Sequence, residues 1–397
     1  MKTLQANAVS PSIPTRRLDW RIFLLALGMF ALGTDAFVVA GVLPVISHEL
    51  GVTEGLAGQL VTVFSLIYGL GAPVLAALTG RWPRNQVLMA ALGAFCLVNI
   101  GSALSPTFPL LLLTRLLAGI AAATYAPLAY TIGTALAPAE KRGQALALVV
   151  LGLMVATVFG SPLGTWMGSH ISWRYSFGLV ALLAGLAFLA LLLGRLPQAG
   201  QAPPLSLKAR LAPIGEPSLL LALAPALLWN LGIYVVYTYL APLLHHSLML
   251  NDVSGFLLAF GLGLVGGNWL AGVIADRFGT TYPLSLSLIA LMIIHATFSF
   301  TDVNPVSALI VLFIWGALGS LAFLAQQRRL LDLAAEHANV ILAINNSTLY
   351  LGIAGGAALG GIALQFAPIN ALGEIGAAFV LLALLTLLVS IRVHAQR

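Results

Sequence analysis

Gly272-Val273-Ile274-Ala275-Asp276-Arg277-Phe278-Gly279 is a charged stop between two long apolar blocks, and it has an echo. Its core, Ala275-Asp276-Arg277-Phe278-Gly279, aligns with Thr79-Gly80-Arg81-Trp82-Pro83 at an offset of 196 (277 − 81). The same offset pairs Glu140 with Glu336, Gly160 with Gly356, Leu163 with Leu359 and Gly164 with Gly360. One register held in three separate places marks two related halves laid out in parallel.

The blocks between the charged stops are long. Crossing the hydrocarbon of a bilayer takes roughly 20 apolar residues, and by that measure twelve spans are expected. They fall at about 21–46, 56–79, 86–104, 109–135, 144–168, 174–194, 217–243, 253–275, 282–300, 305–327, 339–366 and 371–391. The chain is 60% hydrophobic and 8% charged, whereas a soluble domain carries about 25% charged residues. The first block follows a basic start but is too long for the core of a signal peptide. It is read as a retained span. The expected fold is therefore an all-α membrane protein of twelve transmembrane helices in two pseudo-symmetric six-helix bundles. The bundles are residues 1–194 and 217–397, joined by a polar linker at 195–216 that contains Pro203-Pro204.

The charges orient this array. With an even span count both termini share a side, and every Lys and Arg falls on that side except Arg115, within span four, and Arg174, at the far mouth of span six. The opposite loops hold Glu49, Glu54, Asp252, Asp302 and Glu374. Basic residues gather on the cytoplasmic side of membrane proteins, so both termini are expected there, in a multi-pass protein of the cell (inner) membrane. The same placement explains the net charge of +6 without a nucleic-acid partner.

Other chemistries lack their residues. The one cysteine, Cys96, lies in an apolar block with no evident base beside it. His245-His246 carries too little spacing information for a metal site, so no metal is expected. A nucleotide-binding glycine loop is missing from the sequence, which excludes an ATP-driven pump. No enzyme activity and no cofactor are expected.

These features together resemble the major facilitator superfamily. Gly272, Asp276, Arg277 and Gly279 match that family's G-x-x-x-D-R-x-G loop in its second-half copy; the first-half copy keeps Arg81 but has Gly80 and Pro83 at two signature positions. Arg115-Leu-Leu-Ala-Gly119 is similar to the family's R-x-x-x-G segment, and Gly160-Ser161-Pro162-Leu163-Gly164 to its antiporter segment. Span one, from Leu32 through Asp35 to Pro44, looks like the twelve-span drug:proton antiporters, in particular the sugar-efflux and arabinose-transporter-like branch. The resemblance implies a secondary active transporter that exports drugs or sugar-like compounds by proton antiport, powered by the proton gradient. A proton symporter or facilitator importing sugars or nucleosides is the alternative, and a receptor or structural membrane protein is the reading of another class. Partners are then a small-molecule substrate, protons and membrane lipid, with the chain acting as a monomer.

Asp35 is the only acid deep in any span, and a carboxylate at mid-bilayer costs about 2.5–3.5 kcal/mol on insertion scales. It is expected to face a gap between the halves, within reach of Arg115, and to exchange protons there; a fixed pair holding helices together is the competing reading. The second-half mates at 231 and 311 are Leu231 and Val311. Asp276, Arg277 and Arg81, with Gly272 and Gly279, are expected to latch one conformational state through helix-end contacts. Gly160, Pro162 and Gly164 are expected to make a tight, bent contact between the halves. Candidates for the substrate cavity are Asn230, Tyr234 and Tyr237, which share a helical face on span seven, Asn346 and Tyr350 in the same relation on span eleven, and Tyr125 on span four. Interfacial anchoring competes for Tyr237. Gln59, Asn268 and His295 are further polar residues within spans, His295 being read as a helix–helix contact.

Overall fold

The structure, a computed structural model, describes residues 18–197, 215–298, 304–333 and 338–395. Among these there are only helices and their connections. Eleven helices are long and apolar enough to cross a membrane, and Thr281–Ala296, an apolar helix of 16 residues, stands in the remaining place. In chain order the spans are Arg21–Leu50, Glu54–Leu78, Arg84–Ala103, Phe108–Ala135, Ala139–His170 and Trp173–Gly194 in the first half. The second half holds Pro217–Tyr237 (continued by Leu240–Leu248), Ser254–Phe278, Thr281–Ala296, Pro305–Leu333, Ala338–Ala363 and Ala371–Ala395. Most of the 195–216 linker lies outside the described residues.

Each half holds a buried cluster, to which the other half adds a few residues (Tyr350, Ile353 and Ala357 to the first; Ala40, Leu43 and Ala57 to the second), and the packing repeats between them. Span five lies on span one because glycines let the backbones meet. A Cβ on Gly152 would sit 2.1 Å from the Ala26 carbonyl oxygen, and one on Gly160 would sit 2.0 Å from Thr34 Oγ1. Span eleven lies on span seven in the same way, with Gly352 against Asn230 and Gly356 against the Leu231 carbonyl. The expected contact of Gly160, Pro162 and Gly164 between the halves divides in two: Gly160 and Gly164 close span five on span one, against Thr34 and Val38, while the π turn and the segment after it meet span eight of the other half. Proline at 162 removes a backbone donor and crowds the turn before it. The chain answers with a π turn over Ala156–Gly160 before helix resumes at Ser161. Wide turns of this kind bend helices, and this one turns Thr157 and Val158 toward Gly261 of span eight.

The halves meet unevenly. At the face opposite the basic loops they close tightly. There Gly55 meets Gly361, Gly58 meets the Tyr239 hydroxyl, and His170 of span five lies 3.9 Å from Asp252. Cross-half contacts of span five fall on its π turn and the segment after it, while the Arg142–Val155 portion near the basic face packs on spans one and four. The molecule is thus shut at one face and separates toward the other.

Candidate functional site

Between the halves, near mid-depth, lies a cavity of about 180 Å³. Its wall is aromatic: Phe37 from span one, Trp229 and Tyr234 from span seven, Phe260 from span eight, and Trp315 and Phe323 from span ten. Polar side chains are few, namely Thr157, Asn230, Tyr234 and Ser320, and no charged residue lines it. The Asn230 amide donates to the Ala226 carbonyl at 2.7 Å, which leaves its carbonyl oxygen and one N–H for other partners. Thr157 donates to Leu153 O at 3.2 Å, so toward a ligand its oxygen is an acceptor.

The candidate cavity residues separate into three places. Asn230 and Tyr234 line the cavity, and Tyr237 stands behind it, edge-on to Trp315 and packed on Phe260 with centroids 4.9 Å apart. Tyr350 stacks on Tyr68 of span two at 3.8 Å, a contact across the two halves, and the Tyr68 hydroxyl approaches both Tyr350 and Asn346. Tyr125 is elsewhere. Fully buried in the first half, it donates to the Leu25 carbonyl at 3.0 Å and fills the space above Gly28.

Asp35 and Arg115 meet within the first bundle. Arg115 Nη1 donates to Asp35 Oδ1 at 2.6 Å, while Nη2 donates to Asn99 Oδ1 at 3.1 Å and to Ser102 Oγ at 2.6 Å. The guanidinium also lies 4.5 Å from the Phe177 ring centre, a favourable cation–π placement. The two charged side chains are 0% and 1% exposed. Asp35 Oδ2 and Arg115 Nε have no hydrogen-bond partner among the described residues.

The expected location is corrected here. At 3.6 residues per turn, positions two apart point to nearly opposite sides of a helix. Phe37 faces the cavity, so Asp35 faces away from it, toward spans three, four and six. In this conformation the pair is sealed from the gap between the halves.

The loop residues stand at the basic face. Gly279 has φ +70, a left-handed conformation that glycine adopts without strain, and it ends span eight after Phe278. Arg277 lies 5.3 Å from the Phe278 ring centre. Among the described residues neither Arg81 nor Arg277 forms an ion pair, in keeping with a face where the halves stand apart. A Cβ on Gly272 would meet nothing within 4 Å. The side chain of Asp276 lies outside the described residues.

Sequence reasoning missed Asn99, Ser102 and Phe177 around Arg115, and the tryptophans of the cavity wall. Asn99 carried the available signal: it is the one amide of span three away from the helix start, and the 196 offset places it opposite His295.

Comparison with known proteins decides the family. The family model described as Major Facilitator Superfamily matches residues 25–357. The chain belongs to the major facilitator superfamily. It is 30% identical over 351 residues to the Inner membrane transport protein YdhP of Escherichia coli (strain K12), covering 88% of this chain and 90% of that protein. It is 35% identical over 303 residues to a Chloramphenicol resistance protein of Streptomyces lividans, covering 75% and 77%. The crystal structure of a D-xylose-proton symporter superposes with a TM-score of 0.74 at 17% identity, covering 92% of this chain and 96% of that one. This facilitator-family protein is therefore a membrane transporter and not an enzyme.

Proposed function

We propose that the transporter exports small amphipathic organic molecules in exchange for protons. The cavity carries this reading. Its aromatic, uncharged wall suits a neutral or weakly cationic molecule with flat apolar surface. A sugar buried there leaves hydroxyls without partners, at about 1–3 kcal/mol each, because only four polar side chains and two indoles face it. The name of the Streptomyces lividans relative supports a drug-like cargo. By the positive-inside rule the basic face is cytoplasmic, so both termini lie inside and this conformation is open inward. Loading from the cytoplasm is what an exporter requires in this state.

The Asp35–Arg115 pair is the proposed proton-handling element. A sealed ion pair is seldom more stable than a well-packed apolar replacement, and the unpartnered Oδ2 is a place for a proton. Protonation turns Asp35 neutral and frees Arg115 from it. Because Asp35 and Phe37 share span one, a change in how span one sits in its bundle also moves the cavity wall. The proton reaches Oδ2 only when span one shifts against spans three, four and six. The seal favours a second reading, in which the pair is fixed and only locks these four helices.

Purified protein in liposomes under an imposed pH gradient separates the readings. Uphill movement of chloramphenicol in the wild type, lost in Asp35→Asn while chloramphenicol binding persists, supports proton handling. Gradient-driven transport retained by a stably folded Asp35→Asn variant leaves only the structural pair. Preference for xylose over chloramphenicol as cargo overturns the substrate reading.

A further inference from the structure

A second hollow lies on the outer wall of the first half, away from the carrier cavity. It is a groove of about 720 Å³ between the basic end of span two, one face of span three and span four. Small side chains make it: Ala90, Ala91 and Ala94 on span three and Ala121 on span four leave a slot where larger residues would fill the seam. Along span three the lining runs from Gln86 to Val98, a length of about 18 Å at 1.5 Å per residue. Half a bilayer with its headgroup layer is about 20 Å, so the groove has the depth of one leaflet.

Its polarity is graded along that depth. Thr79, Trp82 and Gln86 stand at the basic end, and Val98, Leu117 and Ile120 line the deep end. Arg81 and Arg84 flank the polar end in sequence, and among the described residues neither forms a hydrogen bond or ion pair with the protein. Two unpaired cations above an apolar slot of leaflet depth match a phosphate joined to an acyl chain. We propose that this groove binds one anionic phospholipid, its phosphate at Arg81 and Arg84 and an acyl chain laid between spans three and four.

The test uses Trp82 as reporter. Detergent-solubilised full-length protein is titrated with phosphatidylglycerol bearing bromine on its acyl chains, and with phosphatidylcholine bearing the same chains. The fluorescence difference between wild type and Trp82→Phe isolates Trp82 quenching. Saturable quenching is expected at a phosphatidylglycerol concentration about tenfold below that of phosphatidylcholine, because basic residues favour a net-anionic headgroup over a zwitterionic one. The Arg81→Gln/Arg84→Gln double variant is expected to bring the two lipids to equal potency, and Ala94→Leu/Ala121→Leu to remove the saturable phase. Equal potency in the wild type overturns the proposal, as does unchanged saturable quenching in the filled-groove variant. If the filled groove prevents folding, the arginine pair alone carries the test, and retained selectivity there contradicts the assignment.

Discussion

In the first half, the space among spans one, three, four and six holds Asp35, Asn99, Ser102 and Arg115. The register that relates the halves places Leu231, His295, Phe298 and Val311 at the corresponding positions of the second. One bundle is thus locked around an ion pair and the other around rings. His295 lies edge-on to Trp315 at 4.7 Å, and Trp315 in turn touches Phe298, Phe260 and Tyr237. Both solutions fill the same kind of space, so the fold does not demand charge there. A group kept in only one of two equivalent places is a candidate for work other than packing, and Trp315 carries the second half's difference straight to the cavity wall.

Transplanting residues between the halves breaks the comparison most severely. Arg115→Val leaves Asp35 buried without its partner, and a loss of about 3–5 kcal/mol is expected, read as thermal unfolding in detergent. Asp35→Leu combined with Arg115→Val installs the second-half pair and is expected to recover most of that stability while gradient-driven transport stays lost. Recovery of both would make the pair purely structural.

The glycine seams come next. Gly160→Val drives a side chain into Thr34, and crowding of this kind costs about 1–3 kcal/mol. Because Gly356 occupies the equivalent seam against span seven, Gly356→Val is expected to cost a similar amount; a several-fold smaller cost for one would show that the seams are not equivalent.

A third test sharpens the view of where the halves touch. Tyr350→Ala removes the stack on Tyr68, worth about 0.5–1.5 kcal/mol beyond burial. Its loss is expected to shift the balance between inward- and outward-open states several-fold toward outward, measured by cysteine accessibility at the two faces. The smallest effect belongs to Asp252→Asn at the closed face. His170 and Asp252 are about half and one-third exposed, and an exposed pair is worth at most about 1 kcal/mol. Less than a fivefold shift is expected in the same accessibility assay.

Much of the architecture was legible in the chain. Block length and Arg placement reported twelve spans because lipid and membrane potential act on every residue of a span, and the 196 offset reported the repeat. The facing of side chains was harder. Asp35 and Phe37 are two residues apart, and nothing local says which of two opposite faces looks into the gap; the glycines that turn span one against span five decide it. Tyr125 was misplaced for the same reason. Its hydroxyl suggested a ligand contact, yet a backbone carbonyl, Leu25 O, takes the hydrogen bond. The aromatic cavity wall escaped because Trp and Phe in an apolar span look alike whether they meet lipid, core or ligand.

The central claim is that cargo and proton are linked through Asp35. The direct measurement is proton release, followed with a pH-sensitive dye in weakly buffered detergent solution, when chloramphenicol is added to purified protein. The account predicts release from the wild type and none from Asp35→Asn at a concentration where both still bind the drug. Equal proton release from the two proteins would contradict it.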